Sequence, residues 1–219
     1  MDENVLREQI CEIGRRMYER RMVASNDGNI SVRLGENEFL CTPTGISKGY
    51  MTPDCLCRTD SNGELIEKCG KYRPSSEMKM HMRVYALCPE VKAVVHAHPV
   101  FATCFAAAGI PLDEPVISEA VVSLGEVPVA PYGTPSTIEI PDSIEPFIRG
   151  HEALLLSNHG ALTWDEDLLT AYMKMESVEF YAEIMYRVKQ IGGAKTITPE
   201  NVDKLRRMHE SLCSRDIKS

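Results

Sequence analysis

The stretch that most constrains this chain runs from Val91 to Pro99, where Val91-Lys92-Ala93-Val94-Val95 leads into His96-Ala97-His98-Pro99. Side chains of an extended backbone alternate between faces, so a strand here sends His96 and His98 the same way. The β-branched run predicts a buried strand, and the paired imidazoles predict half of a transition-metal site awaiting ligands from other elements. Core and surface histidines often match a His-x-His pattern by chance, so the pair alone is a weak motif. A second apolar run, Ala153-Leu154-Leu155-Leu156, is followed by Asn158-His159-Gly160 and brings a third histidine to a strand end.

With 219 residues the chain can bury a large core, and no shift in composition marks a boundary, so residues 1–219 read as a single domain. The 24 Lys+Arg against 32 Asp+Glu give a formal net charge of -8, which argues against nucleic-acid binding through a broad basic surface. A local pocket for a small anion remains compatible with that charge. No apolar run approaches bilayer length, and Asp2, Glu3 and Arg7 break the layout of a signal peptide, so the expected location is the cytoplasm. The scattered cysteines read as reduced thiols. A zinc site from Cys55, Cys57 and Cys69 lacks the usual ligand spacing.

From the N-terminus, Leu6, Ile10, Ile13 and Met17 recur at helical spacing and predict an amphipathic first helix. The turn-rich Ala24 to Asn29 follows, then a strand over Ile30 to Leu34, a return strand over Glu38 to Cys41, and another over Asp54 to Thr59. Asp60-Ser61-Asn62-Gly63 predicts a hairpin turn before a strand at Glu64 to Ile66. Pro74-Ser75-Ser76-Glu77 opens a helix that runs to Cys88, with His81 one turn past Glu77 as a packing or supporting residue. Pro99 starts a helix of small residues that ends at Gly109. Val116 to Val122 reads as extended or loop, Glu126 to Ala130 as a strand, and Ile138 to Ile148, with Pro141 and Pro146, as a short or broken helix. Beyond the strand Ala153 to Ser157 and extended Ala161 to Trp164, Thr163 and Glu166 suggest a capping box for a long helix. Its buried stripe is Leu168, Tyr172, Met175, Val178, Ala182 and Met185; a last helix follows Thr198-Pro199-Glu200, carrying Val202, Leu205, Met208 and Leu212.

Three of these connections can bind an anion as well as turn the chain. In Asp27-Gly28-Asn29, Gly28 permits close approach of a ligand to the backbone and Asn29 offers an amide donor. Thr42-Pro43-Thr44-Gly45 presents hydroxyls and exposed N–H groups suited to phosphate oxygens, and turn chemistry explains it equally well. Ser75 and Ser76 at a helix start are either caps or anion ligands at the positive end of the helix dipole, where Glu77 is also favoured.

Gly28-Asn29, Thr42-Pro43-Thr44-Gly45, Ser75-Ser76-Glu77, His96-x-His98 and Asn158-His159-Gly160, in this order and spacing, resemble the class II aldolase and adducin-head family. Within it the likeness is to the enzymes acting on L-fuculose 1-phosphate, and it covers essentially the whole chain. The resemblance implies an α/β fold of α+β character, with a central, mostly antiparallel nine-stranded sheet and helices on both faces. It also implies a four-fold symmetric homotetramer with active sites between subunits. His96, His98 and His159 would hold a divalent metal, zinc first and Mn2+, Co2+ or Fe2+ as alternatives, with Glu77 completing the coordination. Gly28, Asn29, Thr44, Gly45, Ser75 and Ser76 would line the phosphate pocket. The implied reaction is reversible cleavage of a ketose 1-phosphate, such as L-fuculose 1-phosphate or a 5-deoxypentulose 1-phosphate, to dihydroxyacetone phosphate and an aldehyde. The metal would act as Lewis acid and Glu77 as acid/base.

Two departures from the family pattern bear on the aldehyde side. A tyrosine that reaches in from the neighbouring subunit in the fuculose-phosphate enzymes is replaced in this region by Glu119, or by Ser118. No tyrosine follows Tyr186 to match the family's C-terminal one, so a short aldehyde such as lactaldehyde, glycolaldehyde or acetaldehyde is expected. The same scaffold carries sugar-phosphate epimerases, which have aspartate where Glu77 stands. It also carries dehydratases, for which Glu119 is the candidate base, decarboxylases of phosphorylated keto acids, and non-catalytic adducin heads, which lack the histidines.

Overall fold

The computed structural model describes residues 2–67 and 69–215. Its centre is a sheet of seven strands in the order β3-β2-β1-β4-β7-β6-β5. The strands are β1 (Asn29–Gly35), β2 (Glu38–Cys41), β3 (Cys57–Thr59), β4 (Ala93–Ala97), β5 (Val129–Ala130), β6 (Ala153–Leu156) and β7 (Gly160–Asp165). Every pairing is antiparallel except the parallel β5–β6 contact. The helices are α1 (Glu3–Glu19), α2 (Met78–Leu87), α3 (Val100–Ala108), α4 (Ser118–Ser123), α5 (Glu139–Ile148), α6 (Leu168–Gln190) and α7 (Pro199–Arg215).

Strand alternation divides the core into two layers. Ile30, Val32, Ala93, Val95 and Leu155 pack with Ile10 and Met17 of α1, Phe105 of α3 and Met175 and Val178 of α6. On the opposite face Phe39, Val94, Leu154, Leu162 and Trp164 pack with Val84 of α2 and Ile140 and Ile144 of α5. The stripes read from sequence on α1 and α6 are the buried ones. β4 lies mid-sheet with all five residues buried, so Val94 faces the α2 layer and His96, two residues on, faces the start of α2.

Several expectations are corrected. The sheet has seven strands among the described residues rather than nine, because Leu65, Leu112 and Val127 make only isolated bridges. Leu65 and Ile66 are exposed beside the short edge strand β3, where further pairing would bury little. The Asp54 segment begins as a short 3-10 turn, which trims that strand to Cys57–Thr59. Ser118–Ser123 is helical, because Ala120 and Leu124 bury against α6 and α7 and override the β-preference of the neighbouring valines. Helix α5 runs unbroken through Pro146: Pro141 falls in its first turn, where the N–H is free anyway, and buried Ile140, Ile144 and Ile148 hold one face. Thr163 lies in β7 and donates to Ala171 O; Asp167 instead caps α6 by accepting from Thr170 N. On α7 Val202 is buried and Met208 exposed, while Leu212 lies outside the described side chains.

Candidate active site

His96 stands on the hydrogen-bonded centre of the sheet, opposite Asn29 of β1 and Leu162 of β7. Its Nδ1 donates to Ala161 O at 2.9 Å, which leaves Nε2 with a free lone pair. His98 follows the strand end, with Nδ1 3.5 Å from Asp27 Oδ2, and its Nε2 lies 3.1 Å from His96 Nε2. His159 arrives from the loop between β6 and β7, where Leu156 pairs with Gly160 and Asn158 takes a left-handed conformation (φ 57°). A Cβ on Gly160 would lie 2.4 Å from Ala97 O and 2.6 Å from His98 Cδ2, so glycine is required for β7 to approach the histidine strand. Glu179 of α6 accepts from the N–H groups of Phe101 and Ala102 and anchors the helix that follows His98.

The three ring centroids lie 4.7–4.9 Å apart, and the ligand atoms fall within 4.8 Å of one another, the one such His/Cys/Asp/Glu group among the described residues. Burial pulls His96 down to about 3 and lowers His98, so both rings are neutral at physiological pH, the form that ligates. With both Nδ1 atoms turned outward, the facing Nε2 lone pairs of His96 and His98 repel unless a cation lies between them. Nitrogen ligands about 2.0–2.1 Å from a tetrahedral zinc are about 3.3 Å apart, close to what is seen here. These residues fit a divalent ion. Cys57 and Cys69, with sulfurs 2.8 Å apart, have no third ligand converging on them among the described residues.

Glu77 reaches toward this cluster from the residue that caps α2, one position before the helix begins at Met78. Its Oε1 lies 3.2 Å from His159 Nε2 and its Oε2 3.5 Å from His96 Nε2. Burial raises the Glu77 carboxyl, but the hydrogen bonds it accepts from the His159 ring and the Asn29 amide hold the group well below the usual carboxylate range. Asn29 Nδ2 donates to Glu77 Oε2 at 2.8 Å, while Asn29 Oδ1 accepts from His81 Nε2 at 2.5 Å. His81 is wholly buried and drawn down to about 4 by burial; its Nδ1 accepts from Ser31 Oγ, which accepts in turn from Tyr85. A neutral His81 therefore fixes which way the Asn29 amide points. It supports the site from behind and takes no place in the cavity wall.

A cavity of about 200 Å3 joins the histidines to the turn segments, lined by Asn26, Gly28, Asn29, Thr44, Ser75 and Ser76 as well as Glu77, His98 and His159. Ser75 N donates to Thr42 O and Thr44 N to Arg73 O, so two of the segments are laced together. Gly28 has φ +74°, and a Cβ there would lie 2.6 Å from Val23 Cγ1 and 2.9 Å from His96 O. Gly45 has φ +75° and borders open space; it is not among the lining residues. Glu119 is exposed at the start of α4, also outside the lining. Sequence reasoning assigned no site role to four lining residues, Asn26, Asp27, Pro43 and Lys48. Asp27 was read only as turn chemistry, and Lys48 had no motif to mark it. A larger cavity, about 570 Å3, lies toward the other end of β7 beside Arg149, His151, Trp164 and Arg206, remote from the converging ligands.

Cation ligands at one end of a small cavity and neutral anion donors at the other suit a compact phosphorylated molecule whose carbonyl chemistry a cation assists. The Class II Aldolase and Adducin N-terminal domain matches residues 8–186, and the chain belongs to this family. It is 33% identical over 178 residues to an L-fuculose phosphate aldolase of Methanococcus maripaludis, covering 81% of this chain and 94% of that one. It is 32% identical over 194 residues to a 3-oxo-tetronate 4-phosphate decarboxylase of Haemophilus influenzae, covering 86% and 90%. The crystal structure of L-fuculose-1-phosphate aldolase from Thermus thermophilus superimposes with a TM-score of 0.75 at 30% identity, covering 87% of this chain and 98% of that one. The chain is accordingly a carbon–carbon lyase of the class II aldolase type. No helix among the described residues is long and apolar enough to cross a membrane.

Proposed function

We propose that this chain is a metal-dependent aldolase of the cytoplasm. It cleaves a ketose 1-phosphate of the L-fuculose or 5-deoxypentulose kind, reversibly, to dihydroxyacetone phosphate and a short aldehyde. The observation that carries the proposal is the position of Glu77, between two ligating imidazoles and the donor-lined cavity. His96, His98 and His159 would hold the ion, zinc before Mn2+, Co2+ or Fe2+, and Glu77 would complete its ligands. A bound divalent ion supplies a Lewis acid for the negative charge that develops on the substrate's oxygens.

The remaining steps belong to the protein. Gly28, Asn29, Thr44, Ser75 and Ser76 bind the phosphate through N–H and hydroxyl donors, with Gly45 turning the chain at the rim beside Thr44, and so fix the sugar carbons beside Glu77. A base takes the proton of the hydroxyl next to the scissile bond and passes it to solvent, that bond breaks to release the aldehyde, and Glu77, having taken up a proton from solvent, delivers it to the carbon left behind. In the reverse direction Glu77 removes that proton. Glu119, exposed and outside its own chain's cavity, would serve as the hydroxyl-side group in a neighbouring subunit of a homotetramer.

A second reading has its own support. In the likeness to a 3-oxo-tetronate 4-phosphate decarboxylase the leaving fragment is carbon dioxide, and its loss needs no base for a hydroxyl proton. Apart from Glu77, Asp27 is the one carboxylate lining the cavity among the described residues, and it already faces His98. Incubation with C4 to C6 ketose 1-phosphates, ribulose 5-phosphate and 3-oxo-tetronate 4-phosphate, followed by product identification, separates the readings. Dihydroxyacetone phosphate plus an aldehyde supports aldol cleavage, carbon dioxide release the decarboxylase, and an epimer or dehydrated product neither.

A further inference from the structure

Beneath the donor segments lies a charge that the scheme above leaves unused. Lys48 opens a short 3-10 turn (Lys48–Tyr50) and is only 1% exposed, yet it lines the cavity with Gly28, Thr44 and Ser75. Its Nζ donates to Asn26 O at 3.0 Å and to Ile46 O at 2.8 Å, one carbonyl from each of the two segments that bear Gly28, Asn29, Thr44 and Gly45. The turn is pressed against α1, where a Cβ on Gly14 would come within 2.7 Å of Lys48 O, so the lysine has little freedom to withdraw to solvent.

Both partners of the ammonium are neutral. No carboxylate oxygen among the described residues lies within 4.0 Å of it, and Asp27, Glu77 and the Cys55 thiol act on it only from farther away. A buried ammonium without a contacting anion is costly, and burial accordingly pulls Lys48 down to about 8. Among the other lining residues Asp27 and Glu77 are anions and the rest carry no fixed charge, so among the described residues Lys48 is the one fixed positive charge in a cavity read as an anion pocket.

We propose that Lys48 is the cationic element of the phosphate site: the substrate's phosphate is its missing counter-ion, and the pairing makes the enzyme select phosphorylated over unphosphorylated ketones. The proposal rests on the reading of the donor segments as a phosphate pocket. Through its two carbonyl bonds the same ammonium also holds those segments in register, so one side chain supplies both the charge and the shape of the site.

The test is calorimetric titration of the metal-loaded protein with inorganic phosphate, dihydroxyacetone phosphate and unphosphorylated dihydroxyacetone. Lys48→Gln keeps a donor for Asn26 and Ile46 but removes the charge. It should bind both phosphate ligands about 10- to 100-fold more weakly while its affinity for dihydroxyacetone stays unchanged, the scale of a lost charge-assisted hydrogen bond. Lys48→Arg should remain within several-fold of the wild type for all three. Dihydroxyacetone phosphate binding within two-fold of wild type in a folded Lys48→Gln protein overturns the proposal. An equal loss for the unphosphorylated ketone does so too, since it would mark a merely structural role. Should Lys48→Gln not fold, Lys48→Arg decides: a folded Arg variant that has lost phosphate binding rules out charge as the cause, and one that retains it supports the pairing. A wild-type protein that binds neither phosphate ligand removes the phosphate-pocket reading itself, a failure distinct from an indifferent Lys48.

Discussion

His96 is held by the middle of a sheet and His159 by the tight loop where two central strands meet, whereas Gly28, Thr44, Gly45 and Ser75 sit where β1, β2 and α2 start or stop. At the histidine end each ring is set by one or two particular contacts: a backbone carbonyl for His96, an aspartate for His98, a close glycine for the β7 approach. At the loop end many weak donors share the work. The difference follows from what each end binds. A small cation demands few ligands at fixed distances, which strands deliver, while a phosphate with several oxygens accepts donors from many directions and tolerates the loss of one. Substitutions at the histidine end should therefore act all or none, and those at the loop end by degrees.

The largest effect is expected from His96→Ala combined with His98→Ala, which leaves one histidine and one carboxylate, too few for a closed metal shell. Elemental analysis should read close to one divalent ion per wild-type chain and almost none in the double variant, with activity lost in parallel. A chelator that strips the wild type should abolish activity, and one divalent ion per chain should restore it. Metal retained in the double variant would sink the assignment of the histidine end.

Glu77 belongs to both ends, so Glu77→Gln separates chemistry from binding. The amide keeps the shape and the contact with Asn29 but cannot take a proton, and kcat should fall by about 10²- to 10⁴-fold with most of the metal retained. Near-normal turnover would reject the acid/base role. Glu119→Gln should act one step earlier in cleavage, on the hydroxyl proton whose removal precedes bond breaking. Cleavage should drop about 10²-fold, while exchange of the dihydroxyacetone phosphate carbon proton with solvent, followed by deuterium NMR, continues because that step needs Glu77 and not Glu119. Loss of both activities with metal in place would make Glu119 the principal base, and loss of neither would make it a bystander.

The same contrast explains what could be read in the sequence. His96 and His98 were legible because strand alternation is strict and a β-branched run announces it; His159 was legible because Asn-His-Gly closes a second apolar run. The loop donors could be named from residue chemistry but chosen over plain turns only through the family likeness, since Asp27-Gly28-Asn29 and Thr42-Pro43-Thr44-Gly45 are sound turn sequences whether or not a ligand visits them. Where tertiary packing decides, sequence reasoning failed. The valines around Ala120 favour a strand in isolation, yet burial against α6 and α7 makes α4; the prolines of α5 suggest a break, yet three buried isoleucines keep it whole. Lys48 was invisible for a related reason: no local pattern distinguishes a buried lysine from the exposed majority.

The smallest effects come from two glycines that share one backbone conformation in different surroundings. Gly28 and Gly45 have φ of +74° and +75°, so alanine at either position incurs the left-handed penalty, about 1–2 kcal/mol. At Gly45 that is the whole cost, because nothing lies within 4 Å of the added Cβ. For a chain this size the melting temperature should fall by a few degrees, with KM raised only modestly because the residue keeps its backbone N–H. At Gly28 the new methyl must also displace Val23 and the carbonyl of His96, which adds about 1–3 kcal/mol of overpacking. That carbonyl belongs to the metal strand, so Gly28→Ala should weaken metal affinity as well as substrate affinity, whereas Gly45→Ala should leave metal untouched. Thermal melts and metal titrations of the two variants side by side check this. Equal behaviour of the pair would mean that the two ends of the cavity are not mechanically joined at Gly28, and that the loop there moves independently of β4.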